Sequence, residues 1–238
     1  MNRSGIITLV VNVVFRQNRY AAACVKCQKW RTIMYISTFE FKKVRLLRNM
    51  DLVHKMVMLM FDGNRAEEGV LYMIMDSKKN GAESAPVHMI VQSNSQPKNI
   101  PNDSLKLLNS RECSHMMDAI RNGDIVRLYG VFEPQKRNKK MVKNPNCMWL
   151  LRTPGERAEW LQKKFEPAGS LMAINEVAKT NIYVSKASGE SHHTSFYGYE
   201  CMLNVTDSEK LTEILKNGIG RSRPYGAGLC LVLGVQHV

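Results

Sequence analysis

The chain has 238 residues, with 34 Lys+Arg against 21 Asp+Glu and a formal net charge of +13. Hydrophobic residues make up 44% of it, enough for a sizeable core, which excludes wholesale disorder. The longest apolar run, 6–15, is broken by Asn12 and falls short of the ~20 residues a spanning helix needs, which excludes a polytopic membrane protein.

One or two domains fit a chain of this length. The cation surplus points to an anionic partner, either nucleic acid or an acidic membrane surface. Residues 1–33 hold Arg3, Arg16, Arg19, Lys26, Lys29 and Arg31 and no acid. Their short apolar stretch and Ala21, Ala22 and Ala23 resemble a signal peptide faintly, but Arg16, Gln17, Asn18 and Arg19 interrupt the pattern. The segment is expected to be an extension outside the folded body, either dispensable or the result of a start placed upstream of Met34. Of the six cysteines only Cys24 and Cys27 are closely spaced. No second Cys or His pair follows at ligand spacing, so no metal site and no cofactor are expected. Scattered thiols fit a reduced, cytoplasmic setting.

From Met34 the periodicity becomes readable. Residues 35–41 alternate and are rich in β-branched and aromatic side chains, which predicts a strand. Asn49 or Asp51 can cap a helix running to about Phe61, with Val53, Met56, Val57 and Met60 on one face. Strands are predicted at 70–75 and 87–92, joined by a turn at Lys78, Lys79, Asn80 and Gly81. Residues 93–111, rich in Ser, Asn and Pro, read as loop with one short element, and 115–121 as a short helix. In the second half, 125–132 is a strand. A helix follows at 154–165, with Thr153 as its cap and Pro154 in its first turn. Strands at 171–177 and 195–205 come next, then a helix at 208–217 capped by Asp207, and a last strand at 229–235. The second half reads βαββαβ, a ferredoxin-like unit; the first reads βαββα with its last strand undefined. The expected fold is α+β: two tandem ferredoxin-like (RRM-like) domains with antiparallel sheets, 34–121 and 122–238, divided by a soft boundary.

Three segments carry chemistry. Residues 218–228 contain Gly218, Gly220, Gly226 and Gly228 with Arg221 and Arg223 among them. A dinucleotide fold would place such glycines after a strand and before a helix; here the order is helix, glycines, strand. A helix C-cap at Gly218 plus a tight turn explains one or two glycines. The loop with its cations suits a phosphodiester backbone better. The run Lys136, Arg137, Lys139, Lys140 and Lys143 has no acid among its eight residues; it is either a solvated loop or a phosphate contact. Lys179 and Lys186 flank Tyr183 in a predicted loop that also holds His192 and His193. Met56, Met58 and Met60 diverge on a helix and read as core filling rather than a copper site.

The pattern Gly-Ile-Gly, five residues with cations, then Gly-Ala-Gly resembles the glycine-rich loop of the repeat-associated RNA-binding (RAMP-type) superfamily. With the helix Glu156 to Lys164 around Trp160, the Phe132-Glu133-Pro134 strand end, and the opening Met34-Tyr35-Ile36-Ser37, the chain resembles the CasE family over residues 34 to about 236. That family comprises the CRISPR repeat-RNA endoribonucleases of type I-E systems. The resemblance implies a catalytic histidine early in the first helix, which is His54. It implies an RNA hairpin and its mature product as ligand, held by Lys55, Lys136, Arg137, Lys139, Lys140, Lys143, Lys179, Lys186, Gly218, Gly220, Arg221, Arg223, Gly226 and Gly228. It further implies membership of a type I-E surveillance complex, Cascade, with no membrane partner. Relatives often carry tyrosine three residues before the histidine, where this chain has Asp51; Tyr35 or Tyr225 are the candidates to replace it in space. That departure motivates a second reading, a hairpin holder that does not cut. A third is a basic ribosome-associated or DNA-binding protein.

Overall fold

The computed structural model describes residues 33–75, 87–98, 104–137 and 148–238. The basic extension with Cys24 and Cys27, the turn at Lys78 to Gly81, and Lys139, Lys140 and Lys143 lie outside the described residues. In the first half the order is β1 (Tyr35–Phe41), a 3-10 turn (Val44–Arg48), α1 (Met50–Met58), β2 (Leu71–Met75), β3 (Val87–Ser93), β4 (Leu105–Glu112) and α2 (Ser114–Asp118). The second half runs β5 (Ile125–Phe132), β6 (Gln135–Arg137), β7 (Met148–Leu150), α3 (Pro154–Phe165), β8 (Gly169–Ser185), β9 (Ser191–Val205), α4 (Ser208–Asn217), a 3-10 turn (Arg223–Tyr225) and β10 (Cys230–Gln236).

Both large sheets have the ferredoxin-like order. The first is β2-β3-β1-β4 and the second β10-β5-β9-β8, with antiparallel pairing throughout. β5 therefore belongs to the second sheet. The chain is α+β with two sheet-bearing halves, as expected.

The elements that differ from the sequence reading are edge strands and a hairpin. β4 is a full strand where a loop was expected. It lies at the sheet edge and pairs only with β1, and much of it is exposed, so it lacks a regular apolar alternation. β8 continues to Ser185 and β9 begins at Ser191, so Lys179 and Tyr183 lie in a strand, not a loop. Backbone pairing with β9 through Ser185↔Ser191 carries β8 across polar residues that a period-2 reading rejects. Lys136 and Arg137 form a small hairpin strand paired with β7.

The helices follow their caps. Thr153 and Glu156 form a reciprocal capping box at α3. Asp207 accepts from Lys210 N at 2.9 Å at the start of α4, and Gly218 closes that helix at φ 71°. Asn49, not Asp51, caps α1.

The two halves share one core. Leu71, Met73 and Ile90 of the first sheet join Leu161, Leu211 and Leu231 of the second half. The opposite face of the first sheet, with Phe39, Tyr72 and Met89, packs on Val53 and Val57 of α1. Met56, Met58 and Met60 belong to that second cluster, which agrees with core filling. Buried Gln92 of β3 donates its amide to the Leu215 and Lys216 carbonyls at the end of α4, at 3.1 and 3.3 Å. It thereby satisfies helix-end acceptors from across the domain junction. Arg157 of α3 forms a two-pronged pair with Glu176 of β8, both contacts at 2.8 Å.

Asn49 also joins the halves. Its Nδ2 donates to Ser185 O at 2.9 Å and its Oδ1 accepts from Ser185 N at 3.0 Å. Asn49→Ala is expected to destabilise the fold by ~1–2 kcal/mol, since it loses a helix cap and a junction contact together; a urea midpoint unchanged from wild type would show that the junction does not depend on it.

Candidate active site

The Asn49 contact sets the end of β8 against the start of α1, and His54 is in the helix's second turn. Val53 and Val57 take the core face, which leaves His54 half-buried on the flank. Its Nδ1 is buried and has no hydrogen-bond partner among the described residues. Nε2 is thus the ring nitrogen available to a substrate. The Tyr225 ring stands edge-on to the imidazole, with centroids 6.4 Å apart and planes at 80°. His192 of β9 is also edge-on to Tyr225, with centroids 6.3 Å apart and planes at 67°. Tyr225 also lines an apolar cavity of ≈ 170 Å³ between the halves.

Tyr225 reaches this place through the glycine-rich loop. Tyr72 Oη donates to Pro224 O at 2.7 Å, which pins the loop to β2. At Gly218, a Cβ would stand 2.8 Å from Leu71 Cδ1. At Gly226, φ is 92° and a Cβ would come within 3.1 Å of the Tyr72 ring. Only glycine allows the loop to seat this closely on the first sheet. Gly226 and Gly228 are buried and shape the loop from beneath, and Gly220 faces the Trp160 ring. Arg221 is exposed, and Arg223 is half-buried with its guanidinium donating to Asn217 O at 2.7 Å.

Burial, first, and then the charge of Arg65 lower the His54 pKa; Asp51 opposes the shift and Lys55 adds to it. The imidazole is therefore neutral at rest. Arg65 is a site residue the sequence reading missed. It sits half-buried beyond α1, and burial together with Arg223 lowers its own pKa. No spacing rule ties it to His54, because an irregular segment carries it.

The other expected cations divide into groups. Lys55 pairs with Asp51 at 2.8 Å across one helical turn, Lys136 with Glu156 at 2.8 Å, and Lys186 with Glu190 at 2.8 Å. Asp51 is a buried first-turn residue whose charge Lys55 faces. Lys186 follows Ser185, which Asn49 bonds at the start of the helix that carries His54. Lys179 lies over the Tyr197 ring at 5.8 Å, roughly 20 Å along β8 from Lys186 at a strand's rise per residue. Lys136 and exposed Arg137 sit on the β6 strand beside the start of α3. Tyr35 is at the far end of β1 from Phe41, roughly 20 Å away, opposite Ser93 and Glu112. Tyr225, then, is the tyrosine beside His54. Tyr183 and His193 face each other across the β8–β9 ladder with rings 4.8 Å apart. Among the described residues no group of three or more His, Cys, Asp or Glu could hold a metal ion, and no helix is long and apolar enough to cross a membrane.

Two sheets of ferredoxin-like order sharing one core define the class of fold. The chain belongs to the CRISPR associated protein family, whose model matches residues 30–233. It is similar in fold to the CRISPR endoribonuclease Cse3 bound to a 19 nt RNA, with TM-score 0.71 and 19% identity over 84% of this chain and 99% of that one. A Thermus thermophilus Cse3 bound to an RNA representing a pre-cleavage complex gives TM-score 0.70 and 19% identity over 84% and 98% of the two chains. Cas6e from Escherichia coli str. K-12 gives 0.65 and 19% over 83% and 98%. No curated protein sequence matches the chain.

Replacing Arg65 by Gln removes a charge that depresses His54. The His54 pKa is expected to rise toward 6.5, read from the imidazole proton shifts in an NMR titration. An unchanged or lower value would show that Arg65 does not act on the ring.

Proposed function

We propose that the protein is a metal-independent endoribonuclease that binds the stem-loop of CRISPR repeat RNA, cuts it once at the base of the stem, and keeps the product as a subunit of a type I-E surveillance complex. The observation that carries this reading is the meeting of His54 and Tyr225 amid Arg65, Arg223 and Lys186 in a member of the CRISPR associated family. Support for a place in a complex comes from fold similarity to a chain of a CRISPR RNA-guided surveillance complex, TM-score 0.64 at 16% identity over 83% of this chain and 98% of that one.

The reaction needs no external nucleophile. The ribose 2′-oxygen attacks the adjacent phosphorus as the bond from phosphorus to the 5′-oxygen breaks. His54 Nε2 takes the 2′ proton, which a neutral imidazole can do. Tyr225 offers its phenol O–H to the departing 5′-oxygen. Arg65, Arg223 and Lys186 face the charge that builds on the phosphoryl oxygens, the place where fixed cations lower the barrier most. The products are a 2′,3′-cyclic phosphate and a 5′-OH. Shape and phosphate charge select the hairpin, since the A-form major groove is too narrow for side chains. Arg137, Lys136, Lys179 and Arg221 extend the cationic surface for the stem. With several phosphate contacts, affinity falls steeply with salt. The reaction belongs in the cytoplasm, where precursor RNA accumulates.

The test is incubation with the host's repeat hairpin in excess EDTA. Wild type is expected to yield cyclic-phosphate ends, and His54→Ala to slow single-turnover cleavage by about 10²–10⁴-fold at unchanged RNA affinity. Binding without cleavage by wild type would favour the non-cutting holder. Competition by duplex DNA as strong as by hairpin RNA would favour the general nucleic-acid binder.

A lowered histidine pKa makes the base available at neutrality and withdraws it as pH falls through that pKa. Cleavage is therefore expected to rise with pH along a limb below 6.5 and then level. A rate that falls as pH rises through the same range would assign His54 the opposite role.

A further inference from the structure

Glu133 follows β5 and is only 3% exposed. Its carboxylate accepts from two hydroxyls: Oε1 from Thr194 Oγ1 of β9, and Oε2 from Ser222 Oγ of the glycine-rich loop. Among the described residues no cation pairs with it. A buried carboxylate without a counter-charge is costly unless its hydrogen bonds are good, so these two hydroxyl contacts are what retain it. Ser222 has φ 54°, and it is the one non-glycine residue with positive φ among those described. Side chains with a Cβ adopt that conformation reluctantly, and the surrounding structure must hold them there. Here the Glu133 bond does so. Ser222 O in turn accepts from Tyr225 N at 2.8 Å and from Ala227 N at 3.3 Å. One turn thus hangs from Ser222, and Tyr225 is on it, edge-on to His54.

We propose that Glu133 is a positioning residue for the cleavage reaction: by holding Ser222 in its left-handed conformation, it sets where Tyr225 stands against His54. This rests on the reading of His54 and Tyr225 as the active pair. Glu133 is buried and the Ser222 hydroxyl is taken up by it, so in this proposal their loss acts on the chemical step through Tyr225. A role in core packing alone would lower stability and leave the rate of the folded enzyme unchanged.

The test uses the full chain with Ser222→Ala, Glu133→Ala, Glu133→Gln and the Ser222→Ala/Glu133→Ala double variant. Single-turnover cleavage, KM for the hairpin, and amide hydrogen exchange over residues 219–228 are the readouts. Ser222→Ala and Glu133→Ala are each expected to slow cleavage about tenfold with KM within about twofold of wild type, and the double variant to be no slower than the worse single, because both remove the Ser222–Glu133 bond. Loop exchange rises in the same variants. Glu133→Gln restores most of the rate, since its amide oxygen still accepts from Ser222 while its NH₂ donates to Thr194 Oγ1. Should Glu133→Ala fail to fold, Ser222→Ala removes the same bond from a partly exposed loop and carries the test. Wild-type cleavage matched by Ser222→Ala, or single effects that multiply in the double variant, would overturn this proposal alone. A wild type that cleaves no RNA would overturn the functional reading together with it.

Discussion

The seating of the glycine-rich loop on the first sheet is the contact on which the site depends. Tyr72 grips Pro224 through its phenol, and Leu71 and Tyr72 leave room only for glycine at 218 and 226. Burial keeps the Tyr72 phenol protonated, with its pKa well above the usual range, so it remains a donor at working pH. Gln92 strengthens the same junction by satisfying the last carbonyls of α4. Because Leu71 belongs to the apolar cluster that spans both halves, while Tyr72 packs in the cluster on the other face of the same sheet, the two halves are not free to slide. Tyr225 from one half and His54 from the other therefore meet at a fixed angle.

The charge arrangement follows from how each cation is held. Lys136 and Lys186 sit in exposed pairs with acids, weak in water and open to exchange for another anion, whereas Lys55 faces the buried Asp51. The Lys136 contact and the capping bonds at Thr153 hold the Glu156 carboxyl down to about 2, so that pair stays charged over the working range. Arg65 and Arg223 differ from these. They repel one another, and neither forms an ion pair among the described residues. An anion that enters between them relieves a repulsion already present. Burial first, and the Arg65 charge after it, lower the His54 pKa, so the cation that Arg223 repels is also one that acts on the imidazole.

Much of the fold was legible because helices announce their ends. Thr153, Asp207 and Gly218 mark boundaries through local hydrogen bonds that residue type alone predicts, and α3 and α4 fall where those signals put them. β5 was legible from its buried alternation. β4 and the outer stretch of β8 were not. Edge strands are held by backbone pairing on one side, which residue identity barely encodes. Within the candidate site, His54 was named from the family resemblance, its place on the helix saying only that it lies off the core face. Arg65 was not, since a loop sets its position, and Tyr225 stood as one of two tyrosines until the fold placed it.

By itself, the sequence determined the class of fold, the basic character of the chain, the helix that carries His54, and the loop rich in glycine and arginine. Each is written in short-range terms: periodicity, caps, composition, spacing. Only the tertiary structure decided that Tyr225 and not Tyr35 faces the histidine, that Lys55 is spent on Asp51, and that Arg65 and Arg223 confront one another. These are contacts between segments far apart in the chain, and they exist because a shared core brings the end of α4 onto β2, a juxtaposition that no local pattern encodes.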